Sequence, residues 1–366
     1  MKILILRVSS IGDVIHTLPA IFLIKNVLPN SKIYWVAQEK VSSLLLNQPY
    51  LEKIWILPNK FLSIKNWKKS INIIRDIKKT KWDAILDFQG IVKTSIISLL
   101  LKGSKYGFDF KNARFCLTSF FTNHHINPNY KNIIQKNFSL ASYMLLHKNL
   151  KYFKSPAIHE LKKKFHLNFD KKNKNSINQW LKYHKIKQFI ILSPNTTWPS
   201  KHWPLDNWKK LITLLIKNKN FSQQYSILLP GKDHGFQAKK IEQEYKSFKN
   251  NIYFCPKWNL KQIAYLISKT HMLIAPDTGL LHLADFLDKK TIGIFGPTKS
   301  SIHGPFINSE NITNSIQIEC PHKYQKTHGQ NLIKNKKTGV NINCMYKLTP
   351  EKLYEKILKL IDLNGS

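Results

Sequence analysis

Cysteine is scarce in this chain of 366 residues. The four cysteines are widely spaced, and no Cys-x-x-Cys pair or Cys/His cluster occurs, so the sequence gives no indication of a metal site. They are Cys116, Cys255, Cys320 and Cys344. We therefore expect reduced thiols in a cytosolic chain.

Long apolar runs are also missing. No run approaches the ~20 apolar residues that a membrane-spanning helix needs. The first run, Ile3–Leu6, is too short and too soon interrupted by Arg7 to be the apolar part of a signal peptide. Any membrane association is therefore expected to be peripheral.

Acidic residues are few. Only 21 residues are Asp or Glu, whereas 58 are Lys or Arg, which gives a formal net charge of +37. This excess predicts attraction to polyanions such as nucleic acid, anionic lipid or a phosphorylated substrate. It is spread along the chain with many Asn and Ile residues, which is also typical of a general drift in composition, and the two readings stay open. No stretch matches a nucleic-acid-binding motif, so we expect no nucleic-acid partner.

The elements that are present alternate between strands and helices. With 43% hydrophobic residues the chain is globular, and it is long enough for two domains. The alternation restarts after a connecting stretch at 149–185 and predicts a second parallel sheet with helices on both faces. We place the domains at 1–170 and 171–348, followed by an amphipathic helix within 349–366. Residues 106–136 and 298–349 have little periodicity and are predicted to be loops.

The first turn carries a carboxylate. A buried strand at Ile3–Leu6 leads into the turn Ser9–Asp13, and a helix is predicted over Pro19–Val27. In open α/β sheets, ligands bind at the carboxyl ends of the strands. Because Gly12 has no Cβ, the backbone can turn there, and Asp13 then lies at the mouth of the crevice. In the alternative reading, Ser9, Ser10 and Asp13 only cap the helix.

Two further features of the first half suit the same crevice. Gln89 and Gly90 end another strand, so they and Lys93 are predicted to line it. A basic cluster around Trp67, formed by Lys65, Lys68 and Lys69, could hold an anionic substrate or could be an ordinary charged helix face.

The second half has two places suited to a diphosphate. At Pro276–Gly279 a strand ends and a helix begins, so free backbone N–H groups near Thr278 can donate hydrogen bonds to phosphate oxygens. Asp277 is either the cap of this helix or a contact to a sugar or base hydroxyl.

The loop 195–204 is the second place, because it offers two hydroxyls and an ammonium from Thr196, Thr197 and Lys201. It lacks the glycines of a Walker loop, and it could also be a solvent loop held by Trp198 and Trp203. A base on one domain, Asp13, and a diphosphate site on the other together imply transfer across a cleft.

Four segments together resemble glycosyltransferase family 9, the lipopolysaccharide heptosyltransferases, over nearly the whole chain. They are Ser9–Pro19, Asp87–Lys93, Thr196 and Thr197 with Lys201–Pro204, and Asp277–His282 followed by Gly296–Thr298. The resemblance implies the glycosyltransferase B fold, in which two Rossmann-like α/β domains face a central cleft. It also implies an amino-terminal acceptor domain, a nucleotide-sugar domain, and a final helix that packs back on the first domain.

The activity that the resemblance implies is an inverting transfer of L-glycero-D-manno-heptose. The donor would be ADP-L-glycero-D-manno-heptose and the acceptor the Kdo sugar of Kdo2-lipid A, with no cofactor and no obligatory metal. The expected place is the cytoplasm, peripheral on the anionic inner face of the inner membrane. The first two segments favour the member that adds the first heptose over a sister that adds a later one. A polyanion-binding protein on a degenerate transferase fold is the alternative of another class.

The resemblance also assigns residues. Asp13 matches the catalytic base, and the donor contacts match Thr196, Thr197, Lys201, Asp277, Thr278, Gly279 and His282. On the acceptor side the candidates are Ser10, Gly12, His16, Lys65, Lys68, Lys69, Gln89, Lys93 and Arg114. Lys65, Lys68 and Lys69 stand where the family uses arginine-rich sequence. A lysine ammonium is a point charge and cannot bind a carboxylate or phosphate with two parallel hydrogen bonds, as a guanidinium does. The contact to the nucleotide ribose stays open, with Asp233 as the nearby acid.

Overall fold

A computed structural model describes residues 1–148, 156–230, 236–245, 251–320 and 344–361. The chain divides into two compact units, Met1–Asp170 and Lys171–Ser366. Each unit contains its own six-stranded parallel sheet, which confirms the predicted α/β class with two parallel sheets. Asp233, the candidate for the ribose contact, lies outside the described residues.

The sheet of the first unit has the strand order β3-β2-β1-β4-β5-β6. Its strands are β1 (Lys2–Leu6), β2 (Lys32–Gln38), β3 (Lys53–Leu57), β4 (Trp82–Asp87), β5 (Gly103–Phe108) and β6 (His124–Ile126). Its helices are α1 (Ile11–Val27), α2 (Glu39–Leu45), α3 (Trp67–Lys78), α4 (Val92–Leu99), α5 (Ile133–His147) and α6 (Ile158–Lys164).

Strand β1 lies at the centre of this unit. Leu4 and Leu6 pack with Ile77 of α3 and Ile97 of α4 on one face of the sheet. Ile3 and Ile5 point to the opposite face and are equally buried. Both faces are therefore covered, which explains why β1 is a continuous apolar run rather than an alternating one.

Helix α1 begins at Ile11, so the prediction that it starts at Pro19 was wrong. Ser10, in an extended conformation, is the N-cap residue, and its N–H donates to the Asp13 carboxylate at 2.9 Å. This contact satisfies a backbone donor at the start of the helix. Pro19 therefore lies inside α1, a position that normally costs about 3 kcal/mol. The helix is buried almost throughout from Val14 to Ile24, and this burial offsets the cost.

The region 106–136 was predicted to be loops, but it contains β6, the end of β5 and a 3-10 turn at Cys116–Phe121. The two strands read GSKYGF and HHI, which lack the apolar run or alternation of a typical strand. They lie at one side of the sheet, where β6 pairs only with β5 among the described residues. Strands at such a position bury fewer side chains, which is why the sequence pattern missed them.

The sheet of the second unit has the strand order β12-β11-β10-β7-β8-β9. Its strands are β7 (Phe189–Leu192), β8 (Ser226–Leu229), β9 (Ile252–Phe254), β10 (Met272–Pro276), β11 (Lys290–Phe295) and β12 (Ile316–Gln317). Its helices are α7 (Lys171–Tyr183), α8 (Leu205–Lys217), α9 (Lys219–Gln224), α10 (Phe236–Tyr245), α11 (Leu260–Lys269), α12 (Gly279–Phe286), α13 (Ser300–His303), α14 (Ser309–Asn314) and α15 (Pro350–Leu360). Strand β12 and the short helices α13 and α14 fall in the stretch that was predicted to be loop.

Helix α15 packs against α8 in the second unit. Its apolar face, with Leu353 and Ile357, joins Trp203 and Trp208 in the core of that unit. The Trp203 indole N–H also donates to the Leu348 carbonyl at 3.0 Å, which anchors the residues just before the helix. That the helix packs back on the first domain stays a prediction.

The expectation that all cysteines are reduced was wrong for one pair. Cys320 and Cys344 form a disulfide with a Cα–Cα distance of 5.4 Å, whereas Cys116 and Cys255 are free. The pair lies next to Gly296, where a Cβ would come within 3.0 Å of Cys344 Sγ. The two cysteines are 24 residues apart, a separation that carries no pattern, and the fold alone brings them together.

Candidate active site

Asp13 lies in the first turn of α1, directly beyond the carboxyl end of β1. One carboxylate oxygen accepts hydrogen bonds from the Ser10 N–H at 2.9 Å and the Ser10 hydroxyl at 3.2 Å. The side chain keeps 17% of its surface exposed. Asp13 thus takes part in capping the helix, as one reading of the sequence held, and it still presents a carboxylate edge to solvent.

Arg7 holds the other oxygen of this carboxylate. Its Nη2 donates to Asp13 Oδ1 at 2.8 Å, and its Nε donates to the Asp13 carbonyl at 3.3 Å. Its Nη1 donates to the Phe88 carbonyl, at the end of β4. The guanidinium is almost fully buried, with 4% of the side chain exposed, so it is a fixed part of the site.

The environment keeps Asp13 ionised. Desolvation by burial works to raise the pKa of Asp13, but the charge of Arg7, the Ser10 N–H and the charge of Arg114 together lower it to about 2. The Arg114 Nη1 lies 3.6 Å from Asp13 Oδ2, and its side chain is 62% exposed. Asp13 is therefore a charged acceptor, with one buried arginine behind it and one exposed arginine beside it.

The Gln89–Gly90 turn fixes the loop that carries Arg114. Gln89 Oε1 accepts from the Val8 and Ser9 N–H groups at 3.0 and 3.3 Å, which joins this turn to the one after β1. Gly90 has a φ of +58°, and a Cβ there would lie 3.3 Å from the backbone nitrogen of Arg114. A side chain at position 90 would therefore be strained and would press on the loop that brings Arg114 to Asp13.

The structure brings most of the acceptor candidates together. Gly12 and His16 are buried on α1 next to Asp13, and the charge of His16 also lowers the pKa of that carboxyl. Ser10, Gln89 and Arg114 contact Asp13 or its turn directly. The lysines are different, because Lys65, Lys68, Lys69 and Lys93 are exposed and Lys69 pairs with Glu39 at 3.4 Å. No recorded hydrogen bond or ion pair within residues 1–148 joins these four lysines to Asp13.

The second unit places Asp277 in a matching position, between β10 and α12. Its Oδ2 accepts from Lys201 Nζ at 2.6 Å and from the Thr298 hydroxyl at 2.8 Å, and His282 Nε2 donates to its Oδ1 at 3.2 Å. Desolvation opposes ionisation, but the His282 hydrogen bond and the Lys201 charge lower the pKa of Asp277 far below its usual range. The N-cap residue of α12 is Thr278, so the reading of Asp277 as the cap was wrong.

Lys201 and the start of α12 form a positively polarised group around this aspartate. Lys201 ends a 3-10 turn and is only 13% exposed, so its ammonium is fixed by Asp277. Thr278 caps the Leu281 N–H, and Gly279 opens the helix. The backbone N–H groups at the start of the helix and the ammonium together suit an anion such as a diphosphate.

The two threonines of the loop differ. The Thr196 hydroxyl donates to the Trp198 carbonyl at 2.9 Å and accepts from the Trp198 N–H at 3.0 Å, so it shapes the loop. His202 contacts the Thr196 carbonyl at 3.0 Å and supports the same turn. Thr197 is exposed. Of the two threonines, Thr197 is therefore the more accessible to a ligand.

Arg7 and Thr298 are functional candidates that sequence reasoning missed. Thr298 belongs to a segment that carries the family resemblance, but no pattern indicated that its hydroxyl binds Asp277. Arg7 interrupts an apolar run at the end of a buried strand, and a charge at such a position must find a partner. That rule is the signal that could have identified it.

The described residues contain neither a metal-binding cluster nor a membrane-spanning helix. That part of the chain contains no group of three or more His, Cys, Asp or Glu side chains arranged to hold a metal ion. Within the same residues, no helix has both the length and the apolar character to cross a bilayer.

The two parallel α/β units have the architecture of the glycosyltransferase B fold, and the family that matches the chain is one of glycosyl-transferring enzymes. The chain belongs to glycosyltransferase family 9 (heptosyltransferase), whose model matches residues 71–333. This result confirms the family resemblance inferred from the sequence.

Named relatives agree with this assignment. Lipopolysaccharide heptosyltransferase 1 of Campylobacter coli is 28% identical over 329 residues, covering 87% of this chain and 93% of that protein. Lipooligosaccharide heptosyltransferase 2 of Campylobacter jejuni is 26% identical, covering 98% of this chain and 99% of that protein. The structure of E. coli heptosyltransferase WaaC with ADP matches with a TM-score of 0.72 at 22% identity, covering 98% of this chain and 100% of that chain.

Proposed function

We propose that this heptosyltransferase acts in lipopolysaccharide core synthesis. It moves L-glycero-D-manno-heptose from ADP-L-glycero-D-manno-heptose to the Kdo sugar of Kdo2-lipid A, with inversion at the anomeric carbon. The names of the Campylobacter coli and E. coli relatives support the heptose and lipopolysaccharide classes, and the ADP in the E. coli structure supports the donor nucleotide. The reaction takes place in the cytoplasm, at the inner face of the inner membrane.

The observation that carries this proposal is the Asp13 carboxylate, which is ionised, fixed by Arg7 and Ser10, and still partly open. A Kdo hydroxyl that attacks the anomeric carbon becomes far more acidic as the new bond forms. Even a carboxylate with a pKa of about 2 can therefore accept its proton in the transition state. Arg114, beside Asp13 and exposed, supplies a guanidinium for the acceptor's carboxylate.

The departing ADP needs positive charge, which the second unit supplies. The Lys201 ammonium and the free N–H groups at the start of α12 stabilise the charge that develops on the diphosphate. Asp277 and His282 do not need to touch the donor for this, because Asp277 fixes Lys201 and His282 supports Asp277. Because the Lys201 ammonium and these N–H groups stabilise the diphosphate, the proposal includes no obligatory metal. An excess of chelator should therefore leave the rate unchanged.

A sister activity, addition of a later heptose, is the second candidate. It is favoured by the Campylobacter jejuni heptosyltransferase 2, which matches over nearly the whole of both chains. The two activities share the donor and the base, so they differ only in the acceptor. Kdo2-lipid A presents a bare Kdo, whereas the later acceptor already carries one heptose.

One experiment separates these candidates. The purified protein is incubated with ADP-heptose and either Kdo2-lipid A or the same lipid carrying one heptose, and products are identified by mass spectrometry. We expect a mass gain of one heptose on Kdo2-lipid A. A gain only on the heptosylated lipid would assign the sister activity. If neither lipid is modified, and RNA or DNA binds in a salt-sensitive way, the transferase proposal is wrong.

A further inference from the structure

Helix α4 has an inverted polarity. Three of the four side chains that it buries are polar, namely Thr94, Ser95 and Ser98, whereas Val92, Ile96 and Leu99 are exposed. These apolar residues are four and three positions apart, so they form one stripe along the outer face of the helix. Leu99 keeps 59% of its surface exposed. A surface helix normally buries such a stripe, but the exposure of this one shows that it is left uncovered by the described part of the chain.

The 3-10 turn at Cys116–Phe121 packs against α4 and extends the apolar area. It exposes Leu117 by 49% and Phe120 by 75%. An exposed phenylalanine next to an exposed leucine stripe makes a continuous patch rather than scattered single residues, and such patches mark binding surfaces. We call α4 and this turn together the apolar face.

Cations surround the apolar face. Lys93 on α4 and Lys102 just after it are exposed, as are Lys111 and Arg114 on the segment that leads into the 3-10 turn. Each lysine or arginine near an anionic membrane adds to the attraction. Apolar side chains framed by basic ones are the pattern of a protein that lies in a bilayer interface.

The apolar face adjoins the Asp13 carboxylate. Helix α4 follows the Gln89–Gly90 turn, whose Gly90 carbonyl accepts from the Phe115 N–H at 3.0 Å. The neighbouring Arg114 lies 3.6 Å from Asp13. A lipid-linked sugar could therefore reach the carboxylate while its acyl chains remain in the bilayer.

We propose that the apolar face docks the first unit on an anionic lipid bilayer and presents a membrane-embedded acceptor to Asp13. This inference rests on the proposed function insofar as the acceptor is a lipid. A second copy of the chain is the less favoured occupant. Self-pairing of this face would bring the same lysines and arginines of two copies together, and like charges repel.

Vesicle binding tests the proposal without any turnover. Full-length protein is sedimented with vesicles of phosphatidylethanolamine, with or without phosphatidylglycerol. We expect binding to the vesicles that contain phosphatidylglycerol, and weaker binding at high salt. Replacing two inserted side chains, in the double variant Leu99→Ser with Phe120→Ser, should weaken binding roughly tenfold or more. The matched control is Ile312→Ser, an exposed isoleucine on α14 of the second unit, which should bind like the wild type.

Activity on two acceptors separates this inference from the proposed function. The double variant should lose rate with vesicle-embedded Kdo2-lipid A but keep the wild-type rate with a deacylated, water-soluble form. Equal vesicle binding by the double variant and the wild type would overturn the docking proposal. So would a concentration-dependent dimer that the double variant abolishes. If the wild type binds vesicles but modifies neither acceptor, the proposed function fails and the docking surface stands.

Discussion

Each unit places an aspartate between the end of a buried parallel strand and the first turn of the next helix, and the two aspartates differ in their contacts. Asp13 and Asp277 both follow a buried parallel strand, precede or begin a helix, and pair with a basic side chain at 2.8 and 2.6 Å. Both keep their charge against desolvation. Asp13 retains 17% exposure, whereas Asp277 retains 9%.

The partners explain the difference. Both carboxylate oxygens of Asp277 accept hydrogen bonds from side chains of its own unit, namely Lys201, Thr298 and His282. Asp13 is held from behind by the buried Arg7, and its second arginine, Arg114, is exposed at a looser 3.6 Å. Asp277 holds the Lys201 ammonium, and the openness of Asp13 is consistent with its proposed role as the base. Each carboxylate has three partner residues, so the difference lies in their exposure: Arg114 beside Asp13 is 62% exposed, whereas Lys201 beside Asp277 is 13% exposed.

Asp13→Asn should have the largest effect. The amide keeps the size of the side chain but cannot accept a proton, so we expect kcat to fall by roughly 10² to 10⁴-fold. ADP affinity, measured by calorimetry, should stay unchanged because Asp13 lies in the first unit and the proposed ADP contacts lie in the second. The control is Asp83→Asn, because Asp83 is exposed. Asp285→Asn would not serve, because Asp285 accepts hydrogen bonds from backbone N–H groups. Ordinary turnover in Asp13→Asn would end its assignment as the base.

Lys201→Met tests the other side of the comparison. Loss of an ammonium that hydrogen-bonds a phosphate costs about 1.5 to 3 kcal/mol, so ADP should bind roughly 10- to 100-fold more weakly. The variant also leaves Asp277 buried without its cation, and a thermal unfolding scan should show a lower midpoint. The exposed Lys210→Met is the matched control and should change neither value. Unchanged ADP affinity in Lys201→Met would mean that this ammonium only balances Asp277.

The sequence predicted the motifs better than the contacts. Both aspartates could be placed at the carboxyl ends of strands because an apolar run ends in a turn at each of them. The start of α1 at Ile11 agrees with the reading in which Ser10 and Asp13 cap the helix, and it disagrees with the helix predicted over Pro19–Val27.

Contacts between distant segments could not be predicted. Arg7 binds the Phe88 carbonyl, 81 residues away, and Asp277 collects Lys201 and Thr298 from separate loops. Cys320 and Cys344 likewise meet only because of the fold. Periodicity describes how one segment meets its surroundings, and it says nothing about which other segment supplies the partner.

Arg7→Met should shift the pH dependence of the first site. The wild-type carboxylate has a pKa of about 2, so Asp13 is ionised at every pH well above that value. Without Arg7 the desolvation that raises the pKa is less opposed, and the protonated form should persist to higher pH. The acid limb of the kcat/KM profile should therefore move to higher pH. Below the new pKa, kcat/KM should fall roughly tenfold for each pH unit. It is measured from about pH 4 to 8.

Arg7→Lys is the control for Arg7→Met, because it keeps the charge that lowers the pKa of Asp13 but loses the fork of donors. Its acid limb should lie nearer to that of the wild type. The equivalent change in the second unit, Lys201→Met, should leave the acid limb where it is. If Arg7→Met and the wild type give superimposable pH profiles after correction for stability, Arg7 does not act through the protonation of Asp13.

Gly90→Ala should give the smallest effect and the sharpest test of how Arg114 is placed. At a φ of +58° an alanine is strained by about 1 kcal/mol. Its Cβ would also lie only 3.3 Å from the backbone nitrogen of Arg114. We expect acceptor KM to rise severalfold, with ADP affinity and the acid limb unchanged. Arg114→Ala should raise KM at least as much, and the double variant should add little, because both changes act on one contact. Additive losses in the double variant would show that Gly90 shapes the site by a route that does not include Arg114.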